Sequence, residues 1–163
     1  MTHAAACRAS ALLAYGRLLR WPPGVTQPDN GVASTGLILS LYMTKRYDEA
    51  IAAAAALYAS PMFGWPEVED ALKKRYAEAG FQAAMRQAAD LETAKYGTMP
   101  GVANDAGMNY LMAGDPTRAF EWFGKAFAVR DPNLPYLNCY PAFDQLRGDP
   151  RFQAMLRGMG LLH

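Results

Sequence analysis

Proline and glycine cut this chain into helix-length pieces, and that punctuation limits its fold more than any other feature. Trp21-Pro22-Pro23-Gly24, the group Pro61, Gly64 and Pro66, the single Gly80, the loop 97–101, Gly114 and Asp149-Pro150 each mark a stop or a start. Between them apolar residues recur at helical spacing, and no stretch alternates as a strand would. The pattern predicts helices over 32–46, 47–60, 66–79, 81–96, 102–113, about 116–130 and 150–159, after an earlier one over 4–20 that carries Ala11, Tyr15, Leu18 and Leu19 on one face. Asp115-Pro116 and Asp149-Pro150 both place a capping residue before a proline at the first helical position. Gly114 suits a helix C-terminus. Residues 131–148 hold three prolines and scattered aromatics, so a packed but irregular connection is expected there.

Charge and cysteine content then remove several classes of function. Sixteen basic and fifteen acidic residues leave a formal charge of +1, which gives no electrostatic basis for a nucleic-acid or anionic-membrane partner. Cys7 and Cys139 alone do not make a disulfide scaffold. At 52% hydrophobic and 19% charged residues the chain can bury a core and is not a disordered tail. Its longest apolar run, Ile51 to Ala59, is mostly alanine and too short to span a bilayer. Arg8 interrupts the one stretch that resembles a secretory signal, and the basic N-terminal segment reads as a helix, not a transit peptide. A soluble, cytoplasmic, all-α protein is expected.

A repeat lies in the spacing. Small residues head the second helix of successive pairs at Ala50, Ala84 and Ala119, separated by 34 and 35 positions. In the third pair Gly107 and Tyr110 precede Gly114, and Ala119, Phe123 and Ala126 follow it. The first pair keeps Tyr47-Asp48-Glu49-Ala50-Ile51, and the middle pair Gly80, Phe81, Ala84 and Leu91. Gly107 and Ala119 would let antiparallel helices approach while Tyr110 and Phe123 fill the space around the contact. The period and these positions resemble tetratricopeptide repeats. Further on, 134–137 and 141–152, closed by Met155-Leu156 and Met159-Gly160-Leu161, are similar to the terminal repeat of large bacterial signalling proteins, in which an effector domain precedes such an array. The resemblance covers about residues 32 to 162 and implies a short right-handed solenoid of stacked antiparallel helix pairs. Residues 1–31 would form an N-terminal capping helix and loop, and 32–163 the repeat domain with its own C-terminal capping helix.

Catalytic constellations are scarce. His3 and His163 lie at the chain ends, Cys139 stands alone and reads as a buried structural residue, and neither a phosphate loop nor a Gly-x-Ser-x-Gly elbow occurs. Glu67, Glu69 and Asp70 fall in the first turn of a helix, where they complement its dipole. Lys73-Lys74-Arg75 reads as a solvated face. A non-enzymatic chain needing no cofactor or metal is therefore expected.

In arrays of this kind the first helix of each pair lines a concave groove. The alanine register assigns to that groove Thr35, Leu39, Tyr42 and Met43 from the first pair, Glu69, Lys73 and Tyr76 from the second, and Asn104, Met108, Leu111 and Met112 from the third. Met43, Met108 and Met112 are expected to face outward as an adaptable surface. The positions of the chaperone-binding carboxylate clamp hold Thr35, Leu39, Asp70, Gly101 and Asp105, which do not suit it. The resemblance thus implies an interaction module that docks a protein or peptide segment, with Glu69, Lys73 and Asn104 setting its orientation. A sensing domain with a small molecule between repeats is the alternative. Self-association through the solenoid ends is a further expectation.

Overall fold

The structure, a computed structural model, describes residues 31–162. Among these residues there are six α-helices and no strand: α1 Gly31–Met43, α2 Tyr47–Ala59, α3 Pro66–Tyr96, α4 Val102–Met112, α5 Pro116–Ala128 and α6 Pro150–Gly158. The expected helix 4–20, and with it the N-terminal cap, lies outside the described residues.

Local chemistry accounts for the boundaries. The Asp115 carboxylate accepts from the Arg118 backbone N–H at 3.1 Å, and Asp149 does the same for Arg151 at 2.8 Å. Each satisfies a donor that the first helical turn leaves open, and proline follows where no donor is needed. Gly114 ends α4 with φ at 75°. The stretch 131–148 is more regular than expected. It forms two short 3-10 helices, Leu134–Asn138 and Pro141–Leu146, which bury Leu134, Leu137, Phe143 and Leu146.

The 31-residue element α3 is a hairpin. A straight helix of that length would separate its ends by roughly 45 Å. Instead the Trp65 and Tyr96 rings stack with centroids 4.1 Å apart, and Lys95 Nζ lies 2.9 Å from Glu67 Oε1. The Tyr96 hydroxyl donates to the same oxygen. The chain therefore reverses at Gly80, as the sequence predicts, with limbs 66–79 and 81–96. Gly80 has φ 79° and ψ −174°, a region open essentially to glycine alone, while a Cβ there would meet nothing within 4 Å. The constraint is conformational and not steric. Gly80→Ala is expected to cost about 1–3 kcal/mol by urea unfolding; an unchanged midpoint would show that the elbow carries no such strain.

Each helix packs against its sequence neighbour, from α1 on α2 through to α5 on α6. The residues at the head of each second helix, Ala50, Ala84 and Ala119, are all fully buried. A Cβ built on Gly107 would sit 2.4 Å from Phe123 Cε1, so α4 and α5 touch at the glycine. Behind that contact the rings of Phe123, Phe143 and Phe152 pack in series with centroids 5.7 and 6.2 Å apart. No helix among the described residues is long and apolar enough to cross a membrane.

Candidate functional site

Helix α4 is buried on nearly every side, yet one of its faces borders a cleft. That face carries Asp105, Met108, Asn109 and Met112, spaced i, i+3, i+4 and i+7. Opposite lie Thr35, Ile38 and Leu39 of α1, and Ala54, Leu57 and Tyr58 of α2, each set at i, i+3 and i+4. Phe63 from the α2–α3 connection and Glu92 from the second limb of α3 complete it. The short side chains of Ala54 and Thr35 leave the space unfilled. The cleft measures about 410 Å³ including its open mouth.

Its walls are apolar, but a polar network crosses the interior. The Asn109 amide nitrogen donates to the Tyr58 hydroxyl and to Glu92 Oε2, both at 2.9 Å. Glu92 is 0% exposed, and its Oε1 has no hydrogen-bond partner. Burial pushes the Glu92 carboxyl well above the usual range, Asp105 pushes the same way, and the Asn109 bond opposes them. Burial and then Asp131 raise Asp105 to about 7. Burial likewise lifts the Tyr58 hydroxyl, with Glu92 and Asp105 adding to the effect. The Asp105 carboxyl thus titrates near neutrality, and that of Glu92 is displaced in the same direction. Among the described residues no group of three or more His, Cys, Asp and Glu side chains is placed to hold a metal ion.

The residues assigned to the groove divide. Thr35, Leu39, Met108 and Met112 meet in the cleft. Met108 and Met112 are buried, which corrects the expectation that they face outward: α4 is enclosed by its neighbours and shows only an inner face to the cleft. Asn104 and Leu111 are also buried, on other faces of α4. Tyr42 is half-buried and stacks on Phe81 at 5.7 Å, while Met43 and Lys73 are exposed. Glu69 pairs with Lys73 along the first limb of α3, while the Tyr76 hydroxyl donates to Asp48 Oδ1 at 2.5 Å. None of these last five lines the cleft.

Two other expectations also shift. Glu67 does more than face a helix dipole: it closes the α3 hairpin, and the Tyr96 hydroxyl followed by Lys95 holds its carboxyl down to about 2. Cys139 is half-buried and is not a free thiol, so it is neither solitary nor fully enclosed.

Sequence reasoning missed Tyr58, Glu92, Asp105 and Asn109 as site residues. One signal was available. Glu92 continues the row Ala84, Ala88 at i+4 spacing, so a carboxyl falls on an apolar stripe, where charge is rarely left without purpose. No protein-family model matches the chain, and neither a curated protein nor a solved structure matches it.

Proposed function

We propose that this chain is a non-enzymatic helical-repeat module of tetratricopeptide type that senses a small molecule held in the cleft between its helix pairs. In this reading α1 with α2, the two limbs of α3, and α4 with α5 are three stacked pairs of a short right-handed solenoid. The observation that carries it is the buried carboxyl of Glu92, left with one unpartnered oxygen beside a cleft whose other walls are mostly apolar, with Thr35, Asp105 and Asn109 among them. Apolar walls with a few convergent polar groups are the usual make-up of a small-molecule site. The cleft joins residues as far apart in sequence as Thr35 and Met112, so an occupant would tie the first pair to the third. In a solenoid stabilised by neighbour contacts, such a tie stiffens the whole array, and a ligand that favours one packing shifts the population toward it.

Docking of a protein segment has less support. Of Glu69, Lys73 and Asn104, which would orient it, the first two are paired with each other along α3 and Asn104 is enclosed, as is Leu111.

A thermal-shift screen of small organic molecules tests the reading, with Thr35→Trp as the blocked control. Thr35 is half-buried at the cleft, so the indole fills space without entering the core. Molecules that raise the unfolding temperature of the wild type and not of Thr35→Trp are expected, because binding to the folded state alone stabilises it. A screen without hits, or hits shared equally by the variant, would count against the cleft as a binding site.

A further inference from the structure

The chemistry of the cleft also indicates what kind of molecule it takes, an inference that rests on the binding reading above. Three observations converge on a positive charge. First, Glu92 Oε1 is an acceptor sealed from water with nothing donating to it, and leaving such an atom unmade is costly.

Second, among the described residues the groups that act on Glu92 and Asp105 are all acidic or neutral. Asp105 and Asn109 come from α4, Tyr58 from α2, and Asp131 and Tyr140 from the segment beyond α5. Asp131 is itself buried, with Oδ2 unpartnered. Among the described residues no Lys or Arg forms an ion pair with any of the three carboxyls; the cations go to Glu49, Glu67, Glu69, Glu78, Asp90, Asp115, Asp144 and Asp149 instead. Among the described residues this group of acidic side chains thus has no cationic partner.

Third, the walls include the aromatic side chains of Tyr58 and Phe63. Aromatic faces attract organic cations, and apolar methionine and leucine walls hold a hydrocarbon body.

We propose that the cleft binds a small organic cation, a primary ammonium group on a compact apolar body, with the ammonium donating to Glu92 Oε1 and the body lying against Tyr58, Phe63 and Met108. A primary ammonium supplies donors only, which suits an acceptor that has none. Burial biases the Glu92 carboxyl toward its protonated form, so forming the ammonium–carboxylate pair is expected to release a proton to solvent.

Calorimetric titration with phenethylamine hydrochloride and with 2-phenylethanol tests this, because the two probes share a body and differ in charge. At about pH 8 the amine remains protonated. It is expected to bind at least about tenfold more tightly than the alcohol, the value of one charge-assisted hydrogen bond. Its measured enthalpy is expected to vary with the ionisation enthalpy of the buffer, reporting the released proton. Glu92→Gln, which keeps the shape and removes the charge, is expected to lose that preference while alcohol affinity stays within about twofold. Equal affinity of the two probes for the wild type, or undiminished amine preference in Glu92→Gln, would overturn the cation proposal. Alcohol binding in either case would leave the cleft standing as a small-molecule site. Failure of both probes, together with an empty thermal-shift screen, would remove both readings.

Discussion

Phe123→Ala is expected to lower the unfolding free energy by about 3–5 kcal/mol, the range for deleting a fully enclosed aromatic ring. Phe123 is 0% exposed and packs against Phe120 and Phe143 with centroids 6.5 and 5.7 Å away. The stack running on to Phe152 leaves little room for the void to collapse. The opposite insult at the same contact is Gly107→Ala. Its new methyl would lie 2.4 and 2.5 Å from two carbons of the Phe123 ring, so α4 and α5 must part or the ring must leave its rotamer. Overpacking of this sort costs about 1–3 kcal/mol, set against about 1 kcal/mol returned by alanine's helix propensity. The diagnostic result is a change of sign. With Phe123 cut back to alanine, the Gly107→Ala methyl enters vacated space and is expected to be neutral or stabilising. Urea unfolding of the four proteins followed by circular dichroism measures this. Destabilisation by Gly107→Ala of equal size in both backgrounds would mean that the ring is not what holds position 107 to glycine.

That contact was legible because its determinants are local. Gly107 and Phe123 occupy fixed places in a repeat, and the breakers Gly80 and Gly114 and the caps Asp115 and Asp149 act within a few residues of themselves. The same is true of Ala50, Ala84 and Ala119, whose small size is needed wherever two helices cross. The 3-10 turns of 131–148 were less legible. Pro135 and Pro141 sit near the start of each turn, where the missing N–H costs nothing, but proline is equally at home in an irregular loop. Burial of Leu134, Leu137 and Phe143 decides between the two, and their burial depends on α5 and α6 closing over them.

The cleft was only half legible for a related reason. Thr35, Leu39, Met108 and Met112 follow from helix register. Glu92 does not, because its role is fixed by Asn109, which is in turn held by Tyr58, 51 residues away in sequence. Assigning Asn104 and Leu111 to an open groove failed because the register of a single helix cannot tell how fully its neighbours wrap it. Only the assembled fold reveals that α4 is enclosed.

The buried acids give the last expectation its sign. Between the unfolded-state carboxyl values near 4 and the folded value of about 7 for Asp105, the unfolded chain gives up a proton that the folded chain keeps. Stability is therefore expected to fall as pH rises through that window, by about 1.4 kcal/mol per pH unit for each such group. Glu92, raised in the same direction, adds to the slope. Glu67 acts with the opposite sign. Its carboxyl is held down to about 2, so its contribution is complete above the ordinary glutamate range and is lost as pH falls toward that value. Asp115, held down by Arg86 and the Arg118 backbone N–H, behaves alike. The two tendencies meet near pH 4–5, which places the stability maximum on the acid side of the range common to globular proteins. Urea unfolding across pH 3–8 checks the shape of the curve, and Glu92→Gln checks its cause. The variant has no proton to lose and is expected to be less pH-dependent between pH 5 and 8 and more stable than the wild type at the alkaline end, since burying a neutral amide there replaces burying a charge. Stability that stays level or climbs from pH 5 to 7 in the wild type would mean that Glu92 and Asp105 are hydrated in solution, and the cleft would lose the sealed carboxyl on which its chemistry depends.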